Sequence, residues 1–207
     1  MLLTDRAWKE FFIGDLFTVK RPPARSEKDY LRGSVPFVAS GNFNNGVVKY
    51  CTPASEETLD KGNCITVSPV DGSAFYQPSF FLGRGGAGSS VLMLYSDKIN
   101  KYSGIFISKT ICQTCSKYNY GKMGNKDNIK RERIMLPVNN NNEPDYDFME
   151  SFVKEEEQNK RQEYIDYAKK MVSTLEYKEV VPLEDKEWKE FFMGGDEGLF
   201  IISSGKR

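Results

Sequence analysis

The chain contains no histidine. That removes the side chain most often used as a general base near neutral pH, and with it every Ser-His-Asp or Cys-His arrangement. It also removes the commonest nitrogen ligand for zinc. Four cysteines remain, Cys51, Cys64, Cys112 and Cys115. Only the last two form a C-x-x-C pair, and Cys51 and Cys64 stand thirteen positions apart, so no metal site is expected. A lone C-x-x-C can be redox-active. The preferred reading is two small apolar residues on a helix. No run of eighteen apolar residues occurs, so no membrane-spanning helix is expected. Met1-Leu2-Leu3-Thr4-Asp5-Arg6 lacks the basic and apolar regions of a secretory signal. A cytoplasmic chain with reduced thiols is expected. There is no P-loop, no H-E-x-x-H, no paired-carboxylate motif and no Asn-Pro-Pro-aromatic sequence. Neither catalytic residues nor a cofactor is expected of this chain.

Net charge is missing too: 29 Lys+Arg balance 29 Asp+Glu. The distribution says more than the sum. Residues 1–137 carry 19 cations and 12 anions, and residues 138–207 carry 10 and 17. A basic front segment can neutralise phosphates and release their counterions. The acidic rear is left to meet protein.

The sequence does contain a repeat. Asp5-Arg6-Ala7-Trp8-Lys9-Glu10-Phe11-Phe12-Ile13-Gly14 recurs as Asp185-Lys186-Glu187-Trp188-Lys189-Glu190-Phe191-Phe192-Met193-Gly194, 180 positions on, with both tryptophans of the chain inside it. Each copy runs on to Leu-Phe, at Leu16-Phe17 and Leu199-Phe200. One unit therefore completes itself and a second begins.

Between the copies the pattern is strand-rich. Short apolar runs at Val35–Ala39, Val47–Tyr50, Cys64–Val67, Ala74–Gln77, Ser90–Tyr95 and Ile129–Leu136 are separated by turn signals such as Asn44-Asn45-Gly46 and Asp71-Gly72-Ser73. Residues 100–113 read as a helix with Tyr102, Ile105, Phe106, Lys109 and Cys112 along one face. Four consecutive asparagines, Asn139–Asn142, form a linker. Asp145 or Asp147 then caps a helix over 147–176, a stretch without Gly or Pro. At 1.5 Å per residue this is a rod of about 45 Å. Phe152, Tyr164, Ile165, Ala168, Met171, Val172 and Leu175 supply its apolar contacts, the later ones at coiled-coil spacing. Lys154–Glu163 has no apolar residue. The rod is expected to meet another helix. The fold class is α+β: a β-rich domain with peripheral helices over 1–143, one long coiled-coil-forming helix over 144–180, and the start of a second repeat over 181–207.

Several loops suit a polyanion. Gly83-Arg84-Gly85-Gly86-Ala87-Gly88 matches G-x-G-x-x-G, but the residues after Gly88 are β-prone, whereas a dinucleotide site needs a helix there. A glycine loop that brings Arg84 and backbone amides to phosphate fits better. Asn42, Asn44 and Asn45 could bridge adenine edges, or simply serve a turn. Lys117, Tyr118, Tyr120, Lys122 and Lys126 interleave cations with aromatics, as phosphate and base contacts require. Lys20, Arg21 and Arg25 form a further basic cluster. These twelve residues are the candidate DNA contacts.

The chain resembles the DNA specificity subunit of type I restriction–modification enzymes. The features are Trp8 to Phe17, Gly33 to Ser40 with its Pro36-Phe37-Val38, Gly72-Ser73-Ala74-Phe75-Tyr76, Ile129 to Val138, and Glu143-Pro144-Asp145-Tyr146-Asp147-Phe148-Met149-Glu150. The last run is also typical of specificity subunits from systems where methylation and cleavage are fused. The resemblance implies two recognition domains that read the halves of a split double-stranded DNA site, and two helices paired antiparallel between them. It implies methyltransferase subunits as partners, supplying the S-adenosylmethionine chemistry, and a nuclease-translocase as a further subunit where one is present. This sequence departs from the pattern in having one recognition domain and one helix. It is either a half-subunit or a piece that stops at Arg207. A half-subunit would form a homodimer, with two helices paired about a two-fold axis, and would read an interrupted palindrome. The competing readings are a small nucleotide-binding enzyme that uses Gly83–Gly88, and a helix-mediated interaction module that binds no DNA.

Overall fold

The computed structural model describes residues 1–86, 90–175 and 182–190. In chain order the elements are β1 (Trp8–Phe12), α1 (Ile13–Leu16), β2 (Thr18–Lys20), β3 (Arg32–Val38), β4 (Val47–Cys51), β5 (Cys64–Val67), β6 (Ala74–Gln77), β7 (Leu82–Gly83), β8 (Leu92–Tyr95), α2 (Lys101–Cys115), α3 (Lys126–Arg131), β9 (Arg133–Pro137) and α4 (Tyr146–Ser173). The fold is α+β, with short strands and one long helix. Two compact units divide the chain at Glu163/Tyr164.

The first unit is layered because side chains alternate along its central strands. An antiparallel sheet in the order β2-β8-β5-β6 lies at its centre. Ile65 and Val67 of β5, with Leu92 and Leu94 of β8, join the main core, which also holds Phe106, Ile107 and Ile111 of α2. Cys64 and Met93, which face the other way, join a second cluster with Val38, Val47 and Phe81. That cluster ties the central sheet to a three-stranded sheet, β4-β3-β7. Burial of all four β5 residues follows from this two-sided packing. Each such buried aliphatic side chain contributes about 1.5–3 kcal/mol.

Helix α2 meets the sheet through small residues. Ser103, Gly104, Phe106, Ile107, Ser108, Ile111 and Cys115 are buried, whereas Ile105 is 40% exposed. The expected face of Tyr102, Ile105, Phe106, Lys109 and Cys112 is therefore rotated from the true one. A Cβ on Gly104 would stand 2.4 Å from the Tyr76 ring, so the close approach needs glycine there. Cys112 and Cys115 lie on this helix, and burial pushes the Cys115 thiol up to about 12. That is the opposite of a reactive thiolate.

The run Ile129–Leu136 is not one strand. Asn125 accepts hydrogen bonds from the amides of Asp127 and Asn128, both 2.9 Å, and so caps α3, which continues to Arg131. Strand β9 comes next and pairs antiparallel with β1, from Trp8 opposite Pro137 to Phe12 opposite Arg133.

Asp145 caps α4 by accepting from the Phe148 amide at 2.9 Å. Phe148 and Met149 enter the main body, so the first half of the helix belongs to the first unit, which a division at 143/144 does not convey. Polar contacts clamp the same stretch. The Met1 amine meets Glu155 at 2.8 Å and Arg6 meets Asp145 at 2.9 Å, while the Asn100 amide donates to Glu150.

In the second unit the last turns of α4 leave Tyr164, Ile165, Met171, Val172 and Leu175 exposed. A 3₁₀ turn over Leu183–Asp185 repeats the one at Leu3–Asp5. The Asp5 amide donates to the Leu2 carbonyl, and the Asp185 amide to the Pro182 carbonyl, both at 3.0 Å. The sequence repeat is thus also a conformational one over this turn. The rest of the second copy, from Phe191, lies outside the described residues.

Candidate nucleic-acid interface

The turn Ser68–Ser73 gathers the candidate loops. Gly72 has φ +71°, and a Cβ there would stand 1.9 Å from the Cys115 carbonyl oxygen. Only glycine fits this position. The Asp71 carboxylate accepts from the Ser73 amide at 3.1 Å and the Ser73 hydroxyl at 2.7 Å. Burial works to raise the Asp71 carboxyl, but the hydrogen bonds it accepts, those from Ser73 among them, outweigh it and hold it below the usual carboxylate range. The Ser73 hydroxyl also contacts the Gly41 carbonyl at 3.1 Å, reaching the asparagine loop. The Gly124 amide donates to the Pro69 carbonyl at 2.7 Å, reaching the 118–126 loop. A concavity of about 320 Å3 lies here, lined by Arg21, Pro69, Gly86, Ser90, Met123 and Gly124 among others. Three segments far apart in sequence, the 20–25 cluster, the glycine loop and the 118–126 loop, thus share one surface.

The candidate residues do not all serve that surface. Lys20 and Arg21 are exposed, with the Lys20 ammonium 5.4 Å from the Tyr95 ring centroid. Arg25, their neighbour, is turned inward and 8% exposed. It pairs with Glu57 at 2.7 Å and Asp60 at 2.5 Å, and donates to the carbonyls of Thr58 and Gly83. Its donors are engaged inside the protein, where Arg25 holds the 57–60 segment to the end of β7. Tyr118 is likewise buried, with its hydroxyl on Glu132 at 2.5 Å. Burial and then that hydrogen bond raise its pKa. Lys117 is exposed but paired with the same carboxylate at 2.5 Å.

Asn44 and Asn45 adopt left-handed φ of 46° and 55°. The Asn44 amide donates to the Val47 carbonyl at 2.9 Å and that of Asn45 to the Tyr76 carbonyl at 3.1 Å. Both amide groups hold the turn, and Asn42 and Phe43 are exposed beside them. Arg84 is half-buried; its amide donates to the Val38 carbonyl at 2.8 Å and its carbonyl accepts from Val91 at 3.1 Å. Gly83 belongs to β7 and the next described element is β8, with Gly88 outside the described residues. The glycine run thus joins two strands, whereas the nucleotide reading needs a helix after it. Tyr120 and Lys122 are exposed and Lys126 is half-buried. Met123 and the Pro69 turn are not among the sequence candidates. The signal for the turn is Asp71-Gly72-Ser73.

Of the expected helix contacts, Phe152 is engaged within its own unit. It packs edge-on to Phe106 at 5.8 Å and stacks with Phe148 at 6.2 Å. Tyr164, Ile165, Met171, Val172 and Leu175 are exposed, and Ala168 is half-buried.

A β-rich body thus carries cationic loops at one surface, and the last turns of α4 carry an exposed apolar stripe. The chain matches the family described as type I restriction modification DNA specificity domain over residues 5–165, and it belongs to that family. A relative from Heyndrickxia coagulans, the specificity subunit S.BcgI of a type II restriction enzyme, is 29% identical over 154 residues, covering 73% of this chain and 44% of the relative. The S subunit of a type I restriction–modification system from M. genitalium has a similar fold, with TM-score 0.50 at 10% identity over 78% of this chain and 42% of that one. A chain from a structure on complex assembly and conformational transition of the type I system gives TM-score 0.50 at 16% identity, over 80% and 41%. The chain spans less than half the length of these relatives. No helix among the described residues is long and apolar enough to cross a membrane.

Proposed function

We propose that this chain is a non-catalytic DNA-recognition subunit. Residues 1–143 read a duplex sequence and the long helix carries that reading to a partner methyltransferase, with a nuclease where the system has one. The observation that carries the proposal is the convergence of three separate loops, with Arg21 among them, on one concavity in a member of the specificity family. Cations there would neutralise phosphates and fix register, while Asn42 and neighbouring loop atoms meet base edges. Selection from a random duplex pool should yield one defined half-site. Arg21→Ala should weaken binding to all sequences alike and lower the salt slope by about one. Binding that is independent of salt and sequence would sink the reading.

The exposed stripe Tyr164–Leu175 supports pairing with a second copy. Two copies joined antiparallel about a two-fold axis would present two identical readers and select an interrupted palindrome. Light scattering behind a sizing column checks this: twice the chain mass of 23.6 kDa is expected, and a monomer at micromolar concentration would exclude the paired form.

A further inference from the structure

The 118–126 loop is built as a rigid projection. The Asn119 side-chain oxygen accepts from the amides of Gly121 at 2.9 Å and Lys122 at 3.0 Å, and the Lys122 amide also approaches the Asn119 carbonyl at 3.0 Å. These bonds close a tight turn. Its root is fixed on both sides: Tyr118 is buried on Glu132, and Gly124 is tied to Pro69 with the Tyr118 ring and Ile129 packed against it. At the tip stands Tyr120, 86% exposed, the most exposed large hydrophobic side chain among the described residues. Tight turns usually place Asn, Asp, Gly, Pro or Ser at such positions. An aromatic ring held outward on a pre-organised support loses little further entropy on binding. Exposed Lys122 and the rim residue Met123, 41% exposed, flank it, and Met123 also lines the concavity that holds Arg21.

We propose that Tyr120 is a stacking wedge: its ring enters the duplex at one base step, with Lys122 on a neighbouring phosphate. A ring inserted between bases unstacks and kinks the step, so the wedge would add sequence preference through the deformability of that step as well as through contact. This inference rests on the DNA-recognition reading above.

The test uses the full chain and its selected duplex, with 2-aminopurine placed at each position in turn. The expected result is a rise in emission at one step with the wild type and with Tyr120→Phe. Tyr120→Ala should lose that rise and bind about fivefold or more weakly, at an unchanged melting temperature. Weaker binding by Tyr120→Ala with no emission change at any step would mean a groove contact without insertion and would overturn the wedge. So would Tyr120→Ala binding as the wild type does, in which case DNA recognition itself still stands. Failure of the wild type to retain any duplex would remove both readings together.

Discussion

Arg25 and Arg21 show what decides the role of a single residue. Both sit in the same basic cluster, and nothing within a few positions distinguishes them. The distinction comes from Glu57 and Asp60, more than thirty residues on, which take the Arg25 guanidinium inside. Arg25→Ala leaves two largely buried carboxylates without their cation and should destabilise the fold by about 3 kcal/mol, read as a lower urea midpoint. Arg21→Ala should leave that midpoint in place. Glu57 gives a matching pH signature. Burial raises its pKa, but hydrogen bonds from Tyr30 and Arg25 outweigh this and hold its carboxyl below the usual range. Its contribution is therefore complete above the unfolded value of about 4.3 and is lost as pH falls through the lower folded value. The urea midpoint of the wild type should drop steeply below about pH 4, and that of Glu57→Gln less so. Tyr118 obeys the same logic as Arg25: an aromatic between cations in sequence becomes a buried anchor because Glu132 lies within reach.

Elements are legible in the sequence where apolar periodicity alone defines them. The strands over 47–51, 64–67, 74–77 and 92–95, and the long helix with its Asp145 cap, stand close to where the sequence places them. Sequence and structure part where polar or small residues form the contact. The buried face of α2 runs through Ser103, Gly104 and Ser108, which carry little hydrophobic signal. The end of α3 is hidden because Ile129 continues the apolar run into Ile134 and Leu136. Gly104→Ala should destabilise by about 1–3 kcal/mol, since the added methyl meets the Tyr76 ring; differential scanning calorimetry checks it. The end of α4 should behave differently. Met171→Glu with Val172→Glu places charge on exposed positions, so the melting of the first unit should not change, while the mass in solution should halve if helices pair there. A lower melting temperature with the mass unchanged would count against pairing through this stripe.

At the scale of the whole molecule, the balance of 29 against 29 charges conceals a basic front and an acidic rear, and this asymmetry is readable without coordinates. The repeat is readable too, and the shared 3₁₀ turns give it a conformational counterpart. The convergence of loops on the Pro69 turn is not readable, because it depends on strand order and on the contact of Gly72 with the end of α2. With no histidine in the chain, no side chain with an unperturbed pKa in the range titrates between about pH 6 and 8. DNA affinity at fixed salt should accordingly vary by less than about twofold across that interval. A larger change in a filter-binding series would point to a perturbed group at the interface.

The asparagine turn has a bearing on chemical lifetime. Asn45-Gly46 is the kind of pair in which a backbone nitrogen attacks the preceding side-chain amide, closing a succinimide and releasing ammonia. In the folded chain the Gly46 amide is engaged with the Phe43 carbonyl at 2.9 Å, and the Asn45 side chain is held on the Tyr76 carbonyl. Neither reacting group is free to turn toward the other while the turn is closed. Ageing at this site would therefore act as a slow clock of local opening, ticking only in molecules whose asparagine turn has come apart.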